Sequence, residues 1–255
     1  MDKRPDSDIN YSQHESCSDS DSSQSEPIFS NFVHSGQTRW QRLLGQLNYY
    51  DHVYSRKLQT ADNLACNVVL GFGGWCVNRA KMLVQYPLLM WFTYNRAGDV
   101  VKALGVKELE GQLDDPGVRW KLAKFMGAYQ FALVAGSLLA VLAVKALTNR
   151  DRPKVVRSVT RLMNMRDREP HKSMPSGDAL LSALFSAPYV YIFGYKWLPL
   201  VAIPLVCLGR VYMHCHWLGD VIVGAIGGIV IGHLAFGPYF KVLSKPFLDK
   251  FVLNR

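Results

Sequence analysis

The chain has 255 residues, is 49% hydrophobic and carries a formal net charge of +9, yet its mean hydropathy is only +0.02. That average conceals a division: residues 1–30 hold seven acids against Lys3 and Arg4, a net −5, so residues 31–255 carry +14. A basic, apolar body points to anionic lipid headgroups or phosphates and away from nucleic acid, because the bases flank apolar runs instead of lining one hydrophilic face.

Residues 1–35, with "HESCSDSDSSQSE" at their heart, are too polar to bury a core and read as a disordered, acidic, Ser-rich tail. No apolar h-region follows the first residues, so a secretory signal peptide is not expected. The five cysteines are odd in number and lack a CxxC, which makes reduced, packed thiols the default. In residues 36–60, "WQRLLGQLNYYDHVY" (40–54) interleaves aromatic and basic residues, as a helix lying at a membrane interface does.

Residues 61–240 read as a membrane domain. Leu64–Val77 and Met82–Tyr94, parted only by "NRAK", form two short spans or one kinked element. Phe125–Leu147 has the length a helix needs to cross a bilayer; Ala179–Tyr195 and Trp217–Phe236 come close to it. Trp197–Met213 is shorter and closes on Arg210, whose charge calls for a polar cavity at that end. The expected fold class is all-α: a polytopic membrane bundle of six transmembrane helices. Gly224, Gly228 and Gly232 recur every fourth residue in the last span, a spacing that admits close approach of another helix and suggests self-association. Residues 241–255, including "FLDKFVLNR", read as a basic surface tail.

The charges inside this apolar body form a pattern. Lys145 lies near the end of the third span and Arg152 follows it, Pro175-Ser176-Gly177 opens the fourth, Arg210 closes the fifth, and His216 and Asp220 open the sixth. The end of one span and the start of the next share a membrane face, so all of these converge. Lys145, Arg152 and Arg210 suit the oxygens of a phosphoryl group, and the free N–H groups at a helix start near Ser176 and Gly177 add donors. His216 and Asp220 are four apart, on one helix face, where a carboxylate fixes the imidazole tautomer and leaves the other nitrogen to attack phosphorus. Singly, each has a plainer reading: a snorkelling lysine, a basic topology signal, a structural His–Asp pair. Those readings leave the shared face and the order unexplained. The side chains of "HCH" at 214–216 diverge on a helix and no second ligand cluster is evident, so neither metal nor other cofactor is expected.

Lys145-x6-Arg152-Pro153, Pro175-Ser176-Gly177 and Arg210-x5-His216-x3-Asp220 together resemble the three-part signature of the type 2 phosphatidic acid phosphatase family, kin to the vanadium haloperoxidases, over roughly residues 60–240. The resemblance implies a six-helix membrane core and metal-independent dephosphorylation of lipid phosphates, or of isoprenyl and other lipid diphosphates, through a phosphohistidine. It assigns phosphate binding to Lys145, Arg152, Ser176, Gly177 and Arg210, attack to His216, and orientation of His216 to Asp220. It implies partners among lipid phosphates and membrane lipids.

Two positions depart from the family pattern. Gly209 stands where the third motif has Ser, and Asp178 stands where the second has the His that protonates the leaving alcohol. Asp178 is thus a third candidate catalytic residue, with His171 and His214 as substitutes for the missing imidazole. The alternative is a catalytically impaired member, a lipid-phosphate-binding or scaffold protein. A transporter would spread its polar residues along several spans instead of one face. Short spans and the missing signal peptide point to an intracellular membrane, the endoplasmic reticulum or nuclear envelope.

Overall fold

A computed structural model describes residues 38–76, 82–155 and 172–253. The expected tail, residues 1–35, and His171 lie outside the described residues. The chain divides into two compact units, Met1–Leu43 and Leu44–Arg255. In the first, Thr38 N–H donates to Gln41 Oε1 at 2.9 Å and Gln41 N–H to Thr38 Oγ1 at 3.3 Å, a reciprocal cap that starts helix α1 (Arg39–Thr60).

The second unit carries the remaining helices: α2 (Leu64–Cys76), α3 (Met82–Asn95), α4 (Ala97–Leu104), α5 (Pro116–Thr148), α6 (Gly177–Tyr191), α7 (Leu198–Tyr212), α8 (Leu218–Phe236) and α9 (Phe240–Leu248). No strand occurs among the described residues. Helix α5 begins on Asp115, whose Oδ1 accepts from Gly117 N–H at 2.8 Å, with Pro116 in the first turn. It runs 33 residues and ends on Asn149 in the left-handed region, φ 47°. Helices α5 and α8 are long and apolar enough to cross a membrane. Helices α6 and α7, at 15 residues each, extend about 22 Å, short of a bilayer core of about 30 Å. Helix α6 stops before Tyr195 because Gly194, at φ 80°, turns the chain.

Helix α6 is the axis of the bundle: every residue from Ala179 to Tyr189 is buried. The glycine row of α8 lies against it. A Cβ on Gly224 would stand 2.2 Å from Ser176 O, one on Gly228 2.2 Å from Leu180 O, and one on Gly232 2.7 Å from Ala187 Cβ. The close-packed partner of Gly224, Gly228 and Gly232 is therefore a helix of the same chain. Helix α6 thus covers the face that the sequence suggested for self-association.

Two further expectations change in character. Helix α1 does more than lie at an interface. Leu44, Leu47, Tyr50 and Tyr54 are exposed on one side, while Ser55 and Gln59 are buried and Leu58 packs beside Val211 and Val221. Of the segment expected as a basic tail, residues 241–255, those up to 253 are described, and they form most of α9 and a following turn that fold back on the bundle. Phe240, Leu248 and Val252 join the core there and leave Lys241, Lys245 and Lys250 outside. Exposed apolar side chains line α5, α7 and α8, among them Phe131, Leu139, Leu200, Ile226 and Ile229, whereas Lys145, Arg152, Arg210 and Asp220 are buried. That distribution inverts the one water selects. Among the described residues, Cys66, Cys207 and Cys215 are thiols outside any disulfide.

Candidate active site

The C-terminal ends of α5 and α7 and the N-terminal ends of α6 and α8 meet at one end of the bundle. Lys145 Nζ and Arg152 both donate to the main-chain carbonyl of Lys172, which draws the end of α5 and the chain after it toward the start of α6. Ser176 caps α6: its Oγ accepts from Ala179 N–H at 3.4 Å, and its own N–H donates to Asp220 O at 2.9 Å, tying the starts of α6 and α8 together. Gly177 follows as the first residue of α6. Arg210, buried in the last turn of α7, reaches Asp178 Oδ2 with an N–O distance of 2.9 Å. His216 sits in the turn between α7 and α8, 3.5 Å from an Arg152 nitrogen.

The orientation of His216 differs from the expectation. Its Nδ1 lies 2.8 Å from Ser173 O. A carbonyl only accepts, so Nδ1 carries the proton and Nε2, facing Arg152, keeps its lone pair. Asp220 Oδ2 lies 3.8 Å from Nδ1, beyond hydrogen-bond range. Its oxygens are engaged elsewhere: Oδ2 accepts from Trp217 N–H at 2.9 Å and Oδ1 from Arg150 at 2.8 Å. Asp220 therefore contributes charge beside His216, and the Ser173 carbonyl holds the tautomer. Burial pushes the His216 imidazole down to about 4, with Arg210 and Arg152 acting in the same direction and Asp220 against it. At neutral pH the ring is uncharged, the form a nucleophile needs.

The two departures from the family pattern also acquire geometry. A Cβ on Gly209 would stand 2.3 Å from Gly74 N and 2.5 Å from Leu70 O. Glycine is required there because the backbones of α2 and α7 touch, and a serine has no room. Asp178 is in an ion pair with Arg210, and a carboxylate in that pair has no proton to donate. His214, buried in the turn that carries His216, has φ 58° and donates its N–H to Val211 O at 3.0 Å.

Residues 126–242 match the model of the PAP2 superfamily. The match covers 117 of the 255 residues, and this segment is similar to that superfamily. The matched segment begins in α5 and ends in α9, so it contains every side chain placed above from Lys145 to Asp220. No curated protein and no solved structure matches the chain.

Several residues of the PAP2 site were not singled out from sequence. Arg150 hides in the basic loop as one arginine among many. Ser173 contributes a main-chain oxygen, which no side-chain pattern announces. Asp51 and Ser55 lie before the matched segment. Their only signal is that Asp51 is the single acid of the otherwise basic helix α1. Among the described residues, no group of three or more His, Cys, Asp or Glu is placed to hold a metal ion.

Proposed function

We propose that the PAP2 domain is a membrane-embedded lipid phosphate phosphatase that works through a phosphohistidine at His216. One observation carries the reading: a buried imidazole that donates from Nδ1 to Ser173 O and turns Nε2 toward Arg152, at the end of the bundle that buries two further cations. Helices α2, α3 and α5–α8 are the membrane-embedded elements, and the short α6 and α7 suit a thin intracellular bilayer such as that of the endoplasmic reticulum.

Lys145, Arg152, Arg210 and the N–H groups at the start of α6 hold the phosphoryl oxygens, and the dipole of α6 favours the anion. His216 Nε2 attacks phosphorus. The bond from phosphorus to the leaving oxygen breaks, and that oxygen departs with the electron pair. Water then attacks the phosphohistidine; the P–N bond breaks, its electrons return to Nε2, and phosphate leaves.

Asp178 decides which leaving oxygen is tolerated. While paired with Arg210 it offers no proton, so an alcohol must leave as an alkoxide or take its proton from water. A phosphate leaving group needs no such help, since its second ionisation lies near 6. Lipid diphosphates are therefore better substrates than lipid phosphomonoesters.

The test is phosphate release by purified protein, with chelator present, from phosphatidate, lysolipid phosphate, sphingoid phosphate and isoprenyl diphosphate. Release should be fastest from the diphosphate. D178H should raise turnover of the monoesters, by up to the roughly 10²–10⁴-fold that general acid catalysis supplies, and leave the diphosphate nearly unchanged. Failure of both forms to release phosphate from any lipid, with vanadate still bound, would replace the enzyme by a lipid-phosphate-binding scaffold.

A further inference from the structure

Both groups that flank the Nδ1 side of His216 trace back to one residue, Arg150. Its main-chain oxygen accepts from Ser173 N–H at 2.8 Å and from Ser173 Oγ at 3.1 Å, which fixes the carbonyl that holds the His216 proton. Its guanidinium donates to Asp220 Oδ1 at 2.8 Å, which keeps that carboxylate turned away from hydrogen-bonding range of the ring. The guanidinium is in turn held by α1: Asp51 Oδ2 at 2.6 Å and Asn48 Oδ1 at 3.2 Å. It also lies 5.7 Å from the Trp217 ring.

Helix α1 completes the start of α8 as well. Leu218 N–H donates to Ser55 Oγ at 2.8 Å and Gly219 N–H to Asp51 Oδ1 at 2.8 Å, so donors that a helix start leaves open are closed by side chains of another helix. Gly219 permits this approach, since a Cβ there would stand 2.9 Å from Asp51 Oδ2. The His52 ring lies 3.9 Å from that of Trp217. Residues 51–55 thus contact Trp217, Leu218 and Gly219, directly after His216, although they precede the matched segment.

We propose that Arg150 is the positioning residue for His216, and that Asp51, outside the PAP2 segment, locks Arg150 in place. Neither touches the phosphoryl group; both act by keeping Asp220 away from the ring, so that His216 Nδ1–H donates to Ser173 O and not to the carboxylate. This rests on His216 being the nucleophile, but the acceptor of the Nδ1 proton is observable whether or not the protein turns over.

The experiment uses the full-length protein in lipid nanodiscs with 15N-labelled histidine. The wild-type His216 signal should be that of the Nδ1–H tautomer. D51N keeps the size of the side chain and removes the charge that anchors Arg150. It should let Asp220 take over the bond from Nδ1–H, shift that signal, turn the ring off its line to the phosphoryl group and lower kcat by about tenfold, with KM unchanged, as loss of a partner behind a reacting group does. R150M should do the same more strongly, and R150K should restore part of the loss. The double variant D51N/R150M should be no worse than R150M, because Asp51 acts through Arg150. A D51N protein with wild-type Nδ1–H signal and wild-type kcat overturns the proposal, as does a double variant whose losses add. Should R150M not fold, D51N and R150K decide. If the wild type releases no phosphate, the function reading fails and the Nδ1–H signal alone judges this one.

Discussion

Where α4, the first half of α5 and α9 meet, Tyr129 stands among Phe125, Phe236, Phe240 and Phe247 with ring centroids between 5.4 and 6.3 Å apart. Leu104, Leu109, Val118 and Leu122 fill the space around them. At the other end of α5 the buried groups are Lys145, Arg152, Arg210, His216 and Asp220. The first end is stabilised by apolar area and aromatic edge-to-face contacts. The second gains little that way and carries the desolvation cost of several charges, offset only where each finds a partner. The contrast teaches that one end supplies stability and the other spends it on holding charge where an anion is to bind. Variants at the two ends should separate turnover from stability.

The largest effect belongs to H216A, which should lower phosphate release by more than roughly 10³-fold, measured under saturating lipid diphosphate. Its thermal midpoint should stay near wild type, since the ring is uncharged and its loss strands no charge. A variant that keeps turnover would move the nucleophile elsewhere and dissolve the distinction between the ends.

The pH dependence sharpens the same point. The folded His216 titrates near 4, below its ordinary value of 6.5. The neutral ring attacks, so its limb of the rate profile should hold down to about pH 4 and fall only below it. For stability the sign is the same. The unfolded chain takes up this proton first, so its contribution is full above about 6.5 and declines as pH falls toward 4. A turnover limb near 6.5 would mean that His216 is solvated and the site end is open.

How much of this was legible in the sequence follows from where the signals lie. Helices α5 and α8 announce themselves by long apolar runs, and the order Lys145, Arg152, Ser176, Arg210, His216 is enough to bring those residues to one end once helices alternate in direction. The docking of α1 was not legible. Its inward face, Asn48, Asp51, Ser55 and Gln59, is polar, and on a helical repeat such a face reads as the solvent side. The apolar side chains that suggest a buried face are the exposed ones. Gly209 reads from sequence only as a departure from the family motif, because its reason is Gly74 of α2, 135 positions earlier in the chain. Helix α9 was hidden by its lysines, although Phe240, Ser244 and Leu248 repeat at one-turn spacing and are all buried.

An intermediate effect is expected for G209S, which restores the residue of the family motif. The added Cβ meets the Gly74 backbone at 2.3 Å, so α2 must move from α7, at a cost of about 1–3 kcal/mol or more. Thermal unfolding in detergent should show a lower midpoint, and kcat should fall with it, because Arg210 is the next residue. A stable, more active variant would mean that α2 yields easily and that the motif serine outweighs the packing.

The smallest effect tests the apolar end. Tyr129 donates its hydroxyl to Ala235 O at 2.8 Å, closing one of the carbonyls that the end of α8 leaves open. Y129F keeps the ring contacts and removes this bond, so it should cost about 1 kcal/mol, a small downward shift of the thermal midpoint. Turnover and KM should be unchanged, since Ala235 lies sixteen residues along α8 from Gly219, about 24 Å, and no charge is altered. If kcat fell together with stability, α8 would be transmitting strain along its length from the aromatic end to His216. The two ends would then act as one body, with the aromatic cluster part of what sets the geometry of the site.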